Sequence, residues 1–307
     1  MAASDIKGVQ QLLDSAHQPA DLFHNSREPF LLEIDFTAQL THPVEGRFLL
    51  KWKAKDQWWS KVVFGGYQQI TMQNGEMLYT ARNLDFTPLA IENLFKLIHF
   101  TDDSVALTAK KEKDRVEAGV SLACINAERV DSINDQREFC VDSATHNLLS
   151  ETSKGALQEK RQQQFEDYLD FEGSHYPAKL YLLYSGHKVI SATVLRLQSA
   201  AFDPALLAPP KGAIERRHCP GMKWPVAIQT PKPTFDYHRY GFAGESNVAL
   251  TVLPDGSVGD ARLLSDGGPI MDGPTLSALK KWKFKPAMCG DEPVVADIVI
   301  ELAFEVH

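Results

Sequence analysis

No run of this chain is apolar enough to cross a membrane as a helix. The longest clean apolar runs are pieces such as Val248 to Leu253, well short of the roughly 20 residues a span needs. Positive charge is in deficit: 32 Lys and Arg stand against 40 Asp and Glu, and the formal net charge of -8 repels phosphate backbones. Nucleic acid is therefore not an expected partner. Met1-Ala2-Ala3-Ser4-Asp5 lacks both the basic start and the apolar core of a secretion signal. Signatures of catalysis are missing as well, with no G-x-S-x-G, P-loop, H-E-x-x-H or G-x-G-x-x-G in strand-turn-helix context. The 10 His residues are scattered, and His17, His24, His42, His99 and His146 fall in loops or at element ends. No catalytic residue, cofactor or metal is expected.

Cysteine is scarce, with 4 in 307 residues, and C-x-x-C is absent. Cys124 and Cys140 form a near pair in two apolar runs that flank a polar stretch. Cys219 and Cys289 form a far pair, one after a Pro-rich segment and one near the chain end. The expectation is two disulfides, Cys124 to Cys140 and Cys219 to Cys289; four reduced, buried thiols are the alternative. Loop-closure entropy gives about 3 kcal/mol for the short loop and about 4.4 for the long one. Oxidised cysteines imply a periplasmic or extracellular home, and with it a leader cut away upstream.

What is present is a folded composition, 44% hydrophobic and 23% charged, long enough for two domains at about 100 to 200 residues each. The spacing predicts a helix over Asp5 to Ala16, ended by Pro19, and then two-residue alternation. Runs at Phe30 to Phe36, Gly46 to Lys53, Trp58 to Phe64 and Gln69 to Ala81 read as a meander, the last a hairpin with a type I′ turn at Asn74-Gly75. Leu89 to Phe100 has helical spacing, and seven more strands are expected between Val105 and Leu197. Pro209-Pro210, Pro220-Gly221 and Pro225 mark a boundary. The domains expected are 1–205, a linker 206–225 and 226–307. The last is a β-β-α-β unit whose helix is capped at Asp272 or Gly273, with Pro274 near its first position.

Leu253-Pro254-Asp255-Gly256-Ser257-Val258, Ser265-Asp266-Gly267-Gly268-Pro269 and Trp282-Lys283-Phe284-Lys285-Pro286-Ala287 resemble the TonB C-terminal domain family. The resemblance implies a short antiparallel sheet with helices packed on it, docking a peptide of an outer-membrane protein as an added strand. Gly46-x-Phe48-x-Leu50-Lys51, Trp58-Trp59 and Ile70 to Gly75 followed by Met77-Leu78-Tyr79 resemble the LolA/LolB-like lipoprotein-carrier fold. That fold is an open antiparallel β-barrel with lid helices over a hydrophobic cavity.

The expected fold is thus mainly β with α+β, an open barrel joined to a small TonB-C-like domain. It offers two candidate sites. Phe48, Trp52, Trp58, Trp59, Tyr67 and Tyr79 are candidates to line a cavity for a lipid, lipoprotein or peptide, unless the helices fill that face. Asp297, Val299, Glu301, Ala303 and Glu305 are candidates for an edge that recruits an outer-membrane protein or peptide strand. The function expected is non-catalytic binding in the cell envelope. The alternatives are a purely structural envelope protein and a fragment of a TonB-type energy transducer.

Overall fold

The computed structural model describes residues 3–100, 107–117, 119–129, 136–154, 159–234, 244–265 and 269–304. In chain order the elements are α1 (Ala3–Ala20), α2 (Leu22–Asn25), β1 (Phe30–Gln39), β2 (Pro43–Ala54), β3 (Gln57–Phe64), β4 (Tyr67–Asn74), β5 (Met77–Arg82), α3 (Leu89–Ile98), β6 (Leu107–Glu117), β7 (Val120–Arg129), β8 (Gln136–Asp142), β9 (Leu148–Lys154), β10 (Lys160–Phe171), β11 (Ser174–Tyr184) and β12 (His187–Ser199). A short 3-10 turn (Pro204–Leu207) leads to β13 (Ile214–Arg217), β14 (Val226–Gln229), β15 (Gly244–Val252), β16 (Val258–Ser265), α4 (Pro269–Leu279), β17 (Lys283–Lys285), β18 (Ala287–Cys289), β19 (Glu292–Val294) and β20 (Ala296–Phe304). The chain divides into two compact units, residues 1–70 with 92–208 and residues 71–91 with 209–307.

In the first unit the antiparallel order is β3-β2-β1-β12-β11-β10-β9-β8-β7-β6. Two meanders meet where β1 pairs with β12, Phe30 opposite Ser199 and Ala38 opposite Ile190. The sheet is open and does not close into a barrel. Alternation along β1 and β2 buries Phe30, Leu32, Ile34, Phe36, Phe48, Leu50 and Trp52. Helix α1 buries Val9, Leu13 and Ala16, spaced to share one stripe. Burying Leu13 alone contributes roughly 1.5–3 kcal/mol. The helix is fastened at both ends of that stripe: the Ala109 N–H donates to the Gln10 side chain (2.9 Å), and the His17 ring stands edge-on to Phe139 (5.0 Å). The break expected at Pro19 does not occur. Pro19 lies in the last turn, and α1 runs on to Ala20 with the Asp21 N–H donating to His17 O (3.1 Å).

The Gln69 to Ala81 hairpin turns one residue later than expected. Asn74 stays in β4, and the turn is Gly75-Glu76, with positive φ at Gly75 alone (63°). One positive φ at the first central residue is the II′ pattern, so the type I′ expectation is corrected.

The second unit contains the sheet β16-β15-β20 and two-stranded pairs β14-β17 and β18-β19. Its core is Val248, Leu250, Val252, Ala261, Leu279 and Phe284, with Leu276, Trp282, Ile298, Ile300 and Leu302 packed against it. Helix α4 starts earlier than expected, with Pro269 as its first residue and Pro274 inside it. Pro269 is suited to that first position because its missing N–H has no intrahelical acceptor there. Trp282 follows the helix, and its Nε1–H donates to Pro231 O (3.1 Å).

The segment 206–225, expected as a linker, carries β13, which pairs with β5 from Ile214 opposite Thr80 to Arg217 opposite Met77. The same segment holds Cys219, bonded to Cys289. Residues 71–91 accordingly group with 209–307.

Candidate functional site

The register of β2 and β3 sets Phe48 opposite Val62, Leu50 opposite Ser60 and Trp52 opposite Trp58. Phe48, Trp52 and Trp58 therefore share one sheet face. Trp59 is opposite Lys51 and projects from the other face. Tyr67 is buried, with its hydroxyl donating to Gln69 Oε1 (2.5 Å). Tyr79 lies in the second unit, on β5 opposite Glu215. The six aromatics are thus not one cluster. Three of them form a surface that the short helices meet.

Phe95 of α3 stands edge-on to Phe48 (6.0 Å), and Phe23 of α2 stands edge-on to Trp52 (5.4 Å). Trp52 also stacks on Phe30 (6.0 Å), and Phe23 lies 4.2 Å from the His99 ring. Past α3, Phe100 packs on Phe165 (4.2 Å), and the buried Tyr176 hydroxyl donates to Ile98 O (2.9 Å). Burial pushes the Tyr176 phenol above its ordinary range. Phe23, Phe95 and Phe100 are the residues the aromatic pattern of the strands did not reveal. They sit on helices or just past one, where their contact partners are far away in sequence.

In the second unit, β20 pairs with β15 through nine residues, from Gly244 opposite Phe304 to Val252 opposite Ala296, and among the described residues has no other neighbour in its sheet. Ile298, Ile300 and Leu302 face the core. Asp297, Val299, Glu301 and Ala303 alternate with them and stand on the other face. Glu305 lies outside the described residues. Asp297 is fastened at one end of the strand: it accepts from Thr251 Oγ1 (2.6 Å) and from Arg216 Nε (2.8 Å) and Nη2 (3.2 Å). Arg217, the next residue, holds both Glu76 and Glu292. Those carboxylates raise the pKa of its guanidinium above the ordinary value. The stretch Ile214-Glu215-Arg216-Arg217 shows no apolar alternation, so these two arginines carried no signal in the sequence.

Both disulfides form. Cys124 and Cys140 are directly opposed on β7 and β8, Cα atoms 4.1 Å apart, as in a closely spaced non-hydrogen-bonded strand pair. Cys219 and Cys289 have Cα atoms 5.9 Å apart and anchor a small cluster with Ala287, Val294 and Ala296. Glu138 lies beside Cys124 and Cys140, but those two sulfurs are bonded to each other and offer no thiolate to a metal.

Residues 238–306 match the Gram-negative bacterial TonB protein C-terminal family. The match covers β15 through β20 and leaves the larger first unit unassigned. No curated protein matches the chain. Among solved structures, a LolA superfamily protein from Nitrosomonas europaea is 11% identical, covering 65% of this chain and 97% of its own, with a TM-score of 0.45. A DUF1329 family protein from Desulfovibrio piger is 10% identical, covering 65% and 95%, with a TM-score of 0.46. The complex of MucA and MucB from Pseudomonas aeruginosa is 11% identical, covering 97% and 94%, with a TM-score of 0.32. Scores this low assign no ligand and no partner to this chain. Among the described residues no helix is long and apolar enough to cross a membrane.

Proposed function

We propose that this chain is a non-catalytic binding protein of the bacterial cell envelope. Its C-terminal unit docks an extended peptide of a protein partner along the open side of β20, and its first unit holds a lipidic or peptide ligand between the sheet and the short helices. The observation that carries this reading is β20 itself. It is a nine-residue strand at a sheet edge, with one hydrogen-bonded neighbour, in the segment that matches the TonB C-terminal family. Such an edge offers a row of backbone donors and acceptors to an added strand. Two disulfides suit an oxidising compartment, which favours the periplasm or the exterior.

A photo-crosslinker at Ala303 in the full-length protein tests the reading. An envelope protein is expected to be captured there, and Val299→Pro is expected to abolish capture, because proline removes a ladder donor, while Val299→Thr retains it. Capture that Val299→Pro leaves unchanged would count against strand addition. A purely structural role for the first unit is the second reading, and it too has an observation behind it: Phe23 and Phe95 already occupy the face formed by Trp52 and Phe48.

A further inference from the structure

Among the described residues of the second unit, the largest run of exposed apolar side chains lies on β14 and the residues leading into it. Trp224 is 42% exposed, Val226 58% and Ile228 61%. Three large apolar groups within five residues form a patch that a monomer in water has no reason to present unless something covers it. The neighbouring strand identifies what kind of surface that is. β14 pairs with β17, Val226 opposite Lys285 and Gln229 opposite Lys283. Opposed side chains of an antiparallel pair stand on the same face, so Val226 and the two lysines project together, while Phe284 between them turns into the core; Ile228 stands at the register shift between Ala227 and Gln229 and is exposed there. Lys280 and Lys281 precede this strand and are exposed too. Among the described residues, Lys280, Lys281 and Lys285 have no ion-pair partner. Lys283 and Lys285 thus border the apolar patch, and two more exposed lysines precede Lys283 by two to three residues, in a chain whose net charge is -8.

We propose that this face docks the second unit onto an anionic lipid surface. The indole of Trp224 suits the headgroup layer, with its ring against acyl carbon and its N–H toward water. Val226 and Ile228 enter the boundary of the acyl region, and the lysine stems lie along it while their ammonium groups reach the lipid phosphates. The local positive charge complements the lipid, whereas the charge of the whole chain repels it, so attraction is confined to this face and orients the protein. The contact uses neither the edge of β20 nor the ligand face of the first unit, and stands or falls apart from both.

The test is cosedimentation of the full-length protein with sucrose-loaded phosphatidylcholine vesicles, alone or with about one lipid in three as phosphatidylglycerol. Binding is expected to the anionic vesicles and to fall about tenfold or more as salt rises from about 0.1 to 0.5 M. The doubly substituted V226S/I228S and K283Q/K285Q chains are each expected to lose about tenfold in affinity. Leu40→Ser and Leu195→Ser, at exposed apolar positions of the first unit, are expected to bind unchanged. If a variant fails the circular dichroism check of folding, the salt response of the native chain decides. Equal binding to neutral vesicles, or equal binding by the doubly substituted chains, overturns the proposal. So does binding of polyglutamate without vesicles, or an equilibrium sedimentation result showing that the patch holds a second copy of the chain.

Discussion

Gly256 sits at φ 78° in the turn between β15 and β16, a conformation that side-chain-bearing residues rarely adopt. Its surroundings are as restrictive as its dihedral. The Gly256 N–H donates to Leu253 O (2.9 Å), its carbonyl accepts from the Phe284 N–H (2.8 Å), and an added Cβ would overlap the Phe284 carbonyl oxygen. Asp255 completes the turn by accepting from the Ser257 N–H (2.9 Å) and hydroxyl, which holds its carboxyl below the usual range. Gly290 shares the left-handed backbone (φ 61°) but has open space where a Cβ would go. Gly256→Ala is therefore expected to destabilise the second unit by about 2–4 kcal/mol, and Gly290→Ala by only about 1. Urea unfolding of the full-length chain followed by circular dichroism measures both; equal effects would refute the steric argument. The Asp-Gly pair was legible as a turn in the sequence, but the carbonyl it leans on, 28 residues away, was not.

Among the elements, the strands were the most legible. Period-2 alternation at Phe30 to Phe36 and Phe48 to Trp52 needs only that one face be buried, and the structure buries it. What alternation omits is what covers that face. Phe23 and Phe95 lie on α2 and α3, and a ligand entering beside Trp52 and Phe48 must displace them or slide past. A fluorescent fatty-acid probe is expected to bind the wild-type chain with tryptophan-to-probe energy transfer. Phe23→Ala is expected to raise its affinity about fivefold by removing the cost of moving that ring. A probe that neither binds nor quenches in either chain would show the face to be filled structure. β13 was illegible for another reason: with a single apolar residue, it is held by backbone pairing to β5 and by the Arg216 and Arg217 ion pairs, all with residues distant in the chain.

At the scale of the whole molecule, that pairing makes the units discontinuous in sequence. The expected domains are consecutive in sequence, whereas the two compact units are 1–70 with 92–208 and 71–91 with 209–307. A chain truncated after Ala208 is expected to leave β5 with β4 as its one strand neighbour, having lost β13. Hydrogen exchange at Met77 to Thr80 should then quicken by about tenfold or more, with β1 and β12 unaffected. Unchanged protection at Met77 to Thr80 would restore the simpler picture of two consecutive domains.

The open order of the long sheet leaves β6 at one end, with β7 as its neighbour and, among the described residues, no strand beyond. An end strand of this length invites self-association into fibrils; the Gln10 side chain of α1 takes one of its N–H groups, at Ala109, and charge answers the rest of that hazard. Lys110, Lys113, Asp114, Arg115 and Glu117 follow one another along the strand, Lys110 pairing with Glu128 on β7 and Arg115 with Glu138 on β8, one strand further in. Any chain that tried to zip onto β6 would have to strip water from that row of mixed charge, which guards the rim against amyloid-like growth. β20 has far fewer such guards, with Asp297 and Glu301 as its acids and Val299 and Ala303 alternating with them. Of these two end strands, β6 is thus armed against strangers, while β20 is the one proposed to receive them.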